Sequence, residues 1–254
     1  RSVTVRVPAK VNLQLAVGPR EVDGYHNLAT VFQAVSLYDE VSVSLRDPGH
    51  GISVEIIGEY SSQVPTDRSN LTVQAAELIA QRFDLELDIH ISINKSIPVA
   101  GGMAGGSADA AATLLALDYL LDLKLSKEQL ATLAAELGSD VPFMLMGHTA
   151  VGTGHGDQLT PALSRGTYSW VFALSTVGLS TPAVYNECDR MRAGLDVAQP
   201  HVSDALLQAL LAADAVAVGK AMSNDLQSAA SSLRPALALI LDVGEDFGAL
   251  GAVV

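Results

Sequence analysis

The stretch SIPVAGGMAGGSADAAATLLAL, residues 96–117, crowds four glycines into its first half and runs on helix-forming residues through its second. Gly101, Gly102, Gly105 and Gly106 can take backbone angles closed to other residues, and their missing side chains leave amide N–H groups open to a ligand. After Ser107 the run ADAAATLLALDYLL has helical periodicity, so the loop feeds a helix N-terminus whose unpaired N–H groups and positive dipole end favour an anion. Just upstream, LELDIHISINK alternates through Leu87, Ile89, Ile91 and Ile93, the period of a strand. Strand, glycine loop and helix together make a polyphosphate seat. A flexible turn or a tight helix–strand contact reads the same way, and Asp109 has a plain role as a first-turn carboxylate complementing the dipole. The Walker pattern is absent, since no lysine follows these glycines, and G-x-G-x-x-G does not occur in the loop.

The segments around this loop predict an α+β chain. SVTVRVPAKVNLQLAV alternates twice, with Val3, Val5 and Val7 on one face and then Val11, Leu13, Leu15 and Val17, which predicts two strands broken near Pro8. Lys10, Asn12 and Gln14 fall on the opposite face, and the pattern alone prefers a solvated sheet face for them. Asp23-Gly24 signals a turn, after which alternation returns through Val41, Val43 and Leu45, and again through Ile52, Val54 and Ile56. Leu71, Ala75, Leu78 and Ile79 recur at helical spacing within residues 70–83. LSKEQLATLAAELGSDVPFML reads as a helix with a capping box at Ser126 and Gln129 that ends at Gly138. Asp140 then stands where it could cap a short helix begun around Pro142. Gly152, Gly154 and Gly156 mark a turn, and Asp246-Phe247-Gly248, though it spells a protein-kinase triplet, has no H-R-D loop before it and reads as a helix end.

Composition bounds the function classes. A chain of 254 residues is long for one core and comfortable for two lobes, and 49% hydrophobic against 17% charged residues describes a folded globule. A formal charge of −13 with only fifteen Lys and Arg argues against a nucleic-acid partner, so an anionic ligand must be met locally. The single cysteine, Cys188, allows no internal disulfide and fits a reducing, cytoplasmic setting. No apolar run reaches the length of a membrane span, and the expectation is a chain without a membrane partner.

Four ordered motifs, PAKVNLQLAV…DGYHNLATVFQAVSLYDEV, NKSIPVAGGMAGGSADAA, GSDVPFML and STPAVYNECD, are together far more specific than one glycine loop. In this combination the chain resembles the GHMP small-molecule kinases from about Val7 onward, and within them the branch whose acceptor is a cytidine-diphosphate-linked methylerythritol of non-mevalonate isoprenoid synthesis. The resemblance implies a two-lobed fold holding ATP and substrate between the lobes: a ribosomal-S5-domain-2-like N-terminal lobe over residues 1–160 and a ferredoxin-like C-terminal lobe over 161–254. A further glycine-rich motif of the S-G-S-G kind is expected after GALGAVV, so the second lobe is expected to be incomplete.

The same resemblance assigns residue roles. Asp140 is the general base toward the substrate hydroxyl and Lys10 its cationic partner, a sensible pair because an alcohol is a poor nucleophile near neutral pH. Asn12, Tyr25, His26 and Phe32 match the cytidine-diphosphate side, and Thr181 and Tyr185 match second-lobe substrate contacts, although Thr181 before Pro182 is also a ready helix N-cap and Tyr185 a ready packing residue. Pro98, Ala100, Gly101, Gly102, Met103, Ala104, Gly105, Gly106 and Ser107 wrap the triphosphate, with Asn70 and Lys95 toward adenosine. Magnesium is expected with ATP, near Ser107. The family's G-L-G-G-G-S-S reads Gly102-Met103-Ala104-Gly105-Gly106-Ser107-Ala108 here, so Ala104 and Ala108 depart from it. The competing readings are a kinase of homoserine, mevalonate or a sugar, which cytidine nucleotides would not inhibit, and a nucleotide-binding module without catalysis.

Overall fold

The computed structural model describes Arg1–Val254 and groups the chain into two compact units. The first comprises Arg1–Val11 and Ala34–Gly147, the second Asn12–Gln33 and His148–Val254. The grouping is discontinuous, where the sequence suggested a single boundary at residue 160. The reason lies in two long strands, β1 (Ser2–Arg20) and β2 (His26–Leu45), each of which contributes residues to both units.

In the first unit the strand order is β3 (Ile52–Gly58), β4 (Ile89–Lys95), β2, β1. Strand β4 runs antiparallel to β2, with Val41 opposite Ile93 and Val43 opposite Ile91, and parallel to β3, with Val54 opposite Ile91. A parallel pair needs a crossover, supplied by α1 (Leu71–Phe83). The alternation marks the core: Val41, Val43, Ile89, Ile91 and Ile93 are fully buried, as are Ala75, Ala76 and Ile79 of α1. Each of the buried Val and Ile side chains contributes about 1.5–3 kcal/mol of transfer free energy. Helix α2 (Gly105–Leu121) packs against α1 and is apolar around most of its circumference, the signature of a buried helix. Helix α3 (Lys127–Leu137) opens with the expected capping box, and α4 (Val141–Met146) carries Pro142 in its first turn.

The expected break at Pro8 is absent, and β1 passes through it. Strand β7 (Ser223–Asn224) pairs with β1 only at Gln14 and Leu15, so at Pro8 the edge of β1 away from β2 has no strand beside it. Amides two residues apart point the same way, and the Lys10 amide bonds the glycine loop instead of a strand. Proline at position 8 therefore removes no ladder bond.

In the second unit the order is β7, β1, β2, β5 (Thr149–Gly154), β6 (Gln158–Pro161). The β1–β2 turn is the one Asp23-Gly24 announced, closed by the Gly24 amide on the Glu21 carbonyl. Helices α5 (Thr181–Met191), α6 (Asp204–Ala212), α7 (Ala215–Ala221), α8 (Gln227–Leu233) and α9 (Ala236–Asp246) complete it. Its core includes Val17, Val184, Cys188, Leu226, Ala229 and Ala230. Helix α9 stops at Asp246, and Gly248 follows at φ +91°, so Asp246-Phe247-Gly248 is a helix end. No helix is long and apolar enough to cross a membrane.

Candidate active site

The glycine loop spans residues 96–104, between the last residue of β4 and the first of α2. Its tip, Ala100, Gly101 and Gly102, is exposed. A Cβ built on Gly106 would meet only ordinary contact, 3.7 Å from Leu71, and one on Gly102 would meet nothing within 4 Å. At Gly106 no internal crowding requires glycine, so an unscreened amide is what the residue offers. At Gly102 the backbone itself demands it, at φ +71°. Ala104 takes the N-cap position of α2 at φ +57° without a capping side chain, a left-handed conformation that costs an alanine about 1–2 kcal/mol. Helix geometry leaves the amides of Gly105, Gly106 and Ser107 without intrahelical acceptors, and the dipole adds partial positive charge there.

Met103 turns inward, is buried, and accepts the Lys10 amide on its carbonyl at 3.2 Å. The loop is thereby tied to β1 at the residue expected to supply the amine. The Lys10 side chain is only 7% exposed, which overturns the solvated-face reading, and its Nζ lies 3.8 Å from Oδ2 of Asp140. Burial pulls the Lys10 ammonium below its ordinary pKa, while Asp140 works against that shift. Asp140 stands at the N-cap of α4 yet makes no side-chain cap bond, and its side chain is 35% exposed. A carboxylate spared from capping, open to solvent on one side and flanked by a buried amine on the other, can accept a proton from an incoming hydroxyl.

Asn70 and Lys95 are committed internally. Asn70 caps α1, its Oδ1 accepting from the amide and hydroxyl of Thr72, and its Nδ2 donates to the Pro65 carbonyl. Lys95 is buried and donates to Asp39 at 2.5 Å and Asp109 at 2.8 Å. Sequence reasoning passed over Asp39 and gave Asp109 only its dipole role. Both had a signal. Asp39 shares the parity of buried Val41 and Val43, and a carboxylate in a helix as apolar as α2 needs a cation. Burial pushes the Asp109 carboxyl up to about 8 against the pull of Lys95.

The substrate-side candidates lie in the second unit, in several separate arrangements. Asn12 donates to the Thr30 hydroxyl at 2.7 Å, and that hydroxyl donates to the Gln14 carbonyl. The exposed ring of Tyr25 stacks on His155 at 5.0 Å. His26 is buried, with Nε2 2.7 Å from Oδ1 of Asp189 and its ring 5.1 Å from that of Tyr185. Asp189, another residue the sequence reading missed, sits in the quoted STPAVYNECD stretch one turn after Tyr185. Phe32 is buried on β2, where a Cβ at Gly152 would stand 2.9 Å from its ring, so Gly152 is glycine to admit Phe32. Thr181 opens α5 exposed, with Ser180 rather than Thr181 at the N-cap position, and Tyr185 also packs on the unit's core.

A family model described as the GHMP kinases N terminal domain matches residues 70–148, which hold the loop and Asp140. A 4-diphosphocytidyl-2-C-methyl-D-erythritol kinase of Thermobifida fusca is 55% identical over 259 residues, covering all of this chain and 83% of its own length. One of Streptomyces avermitilis is 53% identical over 253 residues, covering all of this chain and 84% of its own. Among solved structures, that of a 4-(cytidine 5'-diphospho)-2C-methyl-D-erythritol kinase matches with a TM-score of 0.74 at 31% identity, covering 97% of this chain and 84% of the other.

Proposed function

This chain belongs to the GHMP kinases, among the 4-diphosphocytidyl-2-C-methyl-D-erythritol kinases, and on that premise we propose that it transfers the γ-phosphoryl group of ATP to the 2-hydroxyl of 4-diphosphocytidyl-2-C-methyl-D-erythritol. One observation carries the reading. Lys10 joins the two halves of the chemistry, its amide bonded to Met103 of the loop and its ammonium paired with Asp140.

The loop amides and the first turn of α2 receive the triphosphate, where Gly105, Gly106 and Ser107 offer N–H groups. Asp140 accepts the hydroxyl proton as the new O–P bond forms and the bond to the β-phosphate oxygen breaks, leaving ADP. Lys10 offsets negative charge developing at the attacking oxygen. Its burial removes the water that would otherwise screen that charge. Asn12, Tyr25, His26, Phe32, Thr181 and Tyr185 are the residues we assign to the cytidine-linked alcohol, with His26 held in orientation by Asp189.

The chain has no group of three or more acidic, His or Cys side chains able to hold a metal. That donor set fits magnesium carried mainly by phosphate oxygens and water, and the Ser107 hydroxyl in the first turn of α2 is the protein oxygen we assign to it. When bound, the ion would supply charge neutralisation on the phosphates.

The test is turnover. Protein with ATP, magnesium and the cytidine-linked alcohol should release ADP, and CDP should compete with the alcohol. Absence of ADP release above a no-alcohol control rejects the assignment, and turnover of homoserine or mevalonate untouched by CDP redirects it.

A further inference from the structure

The Asp39–Lys95–Asp109 cluster is buried throughout, its side chains between 0% and 3% exposed. Its parts come from three elements. Asp39 is on β2, Lys95 is the last residue of β4, and Asp109 is on α2 one turn beyond Gly105, past the first turn in which the sequence reading placed it. The glycine loop runs between the second and the third. At the start of the loop, Oδ1 of Asp39 accepts the amides of Ser96 at 2.6 Å and Ile97 at 2.8 Å, while its Oδ2 accepts Lys95 Nζ. At the far end, the same Nζ donates to Asp109, and a Cβ on Gly105 would lie 2.7 Å from that nitrogen and 3.1 Å from Ile97. One ammonium therefore ties the strand that launches the loop to the helix that receives it.

Resting on the kinase reading above, we infer that Lys95, with Asp39 and Asp109, is a positioning residue of the nucleotide site: it fixes both ends of the loop and makes no contact with ATP. An ammonium lent to a phosphate would leave the buried carboxyl groups of Asp39 and Asp109 without the cation they share, the costly way to break a buried ion pair. Gly105 follows from the same arrangement, since its bare Cα lets the helix start directly over Nζ. One oxygen of Asp109, Oδ1, is buried without a hydrogen-bond partner, so this carboxyl is held for what its other oxygen does.

The test compares the full chain with Asp109→Asn and with Gly105→Ala, the second of which presses on the clamp without changing its charges. Three quantities are read: calorimetric affinity for a non-hydrolysable ATP analogue, amide hydrogen exchange across residues 96–104, and KM for ATP against KM for the alcohol. A displaced loop should weaken the analogue roughly ten- to a hundredfold and raise KM for ATP, with faster exchange in the loop. KM for the alcohol should stay put. Unchanged analogue affinity in a folded variant, or equal rises in both KM values, overturns the inference and leaves the cluster a packing feature only. A large 15N shift of the Lys95 ammonium on adding the analogue to the unmutated chain overturns it independently, which covers the case in which either variant fails to fold. Analogue binding without alcohol turnover would reject the function and leave the clamp standing.

Discussion

At the level of single residues, the acid and the amine are distinguished by what they do not do. Asp140 occupies a capping position and caps nothing, and Lys10 sits on a face whose pattern suggests water yet is buried. Replacing Asp140 by Asn keeps shape and volume but removes the proton acceptor. Turnover should fall by roughly 10²–10⁴, the usual worth of a positioned base, with analogue affinity unchanged by calorimetry. Near-normal turnover would remove Asp140 from the mechanism. Lys10 should impose the alkaline limit on the rate: burial lowers its pKa, so activity should fall with rising pH before an ordinary lysine would titrate. A pH–rate profile extending flat beyond the usual lysine range would contradict this.

At the level of elements, Gly152 in β5 and Ser126 before α3 make opposite tests. Gly152→Ala drives a methyl to within 2.9 Å of Phe32 and 3.0 Å of the Gly156 carbonyl, so it should cost about 1–3 kcal/mol by denaturant unfolding and raise KM for the alcohol. Ser126→Ala loses one capping bond and should cost about 1 kcal/mol with both KM values untouched. The elements themselves were legible. The period of two in residues 37–45 and 89–95 and the helical spacing in 71–83 each gave a strand or helix where one is found, because burial on one face imposes that period. Asp39 could have been found by the same parity. Its partners could not, since a local pattern says which way a side chain faces and is silent about what lies across the core. Pro8 misled for a related reason: the ladder bond it would break does not exist, and knowing that requires the sheet order.

For the whole molecule, two properties follow from sums rather than sites. The first is the division of the chain, which sequence placed at residue 160 because it treats segments as contiguous, whereas β1 and β2 each serve both units. The second is stability against pH. Asp109 has a folded-state pKa of about 8 against an ordinary 3.8, so between those values the folded chain holds a proton that the unfolded chain has lost. Its contribution is complete at the acidic end of that window and declines as pH rises to about 8, by at most about 1.4 kcal/mol per unit. Asp88 and Glu187, both lowered by hydrogen bonds, contribute the opposite slope at lower pH, where protonation ends their bonds. The melting temperature should therefore drift down from pH 5 to pH 8, and Asp109→Asn should flatten that drift. An unaltered slope in the variant would assign it elsewhere.

The bond from the Lys10 amide to the Met103 carbonyl is made of main-chain atoms alone. Alanine scanning is blind to such a tether, because truncating either side chain leaves it in place. A mutational survey would rate position 103 by its thioether packing and miss its service as an anchor. Swapping the amide at position 10 for an ester, by chemical ligation, deletes the donor while sparing the ammonium and so exposes what the tether alone supplies.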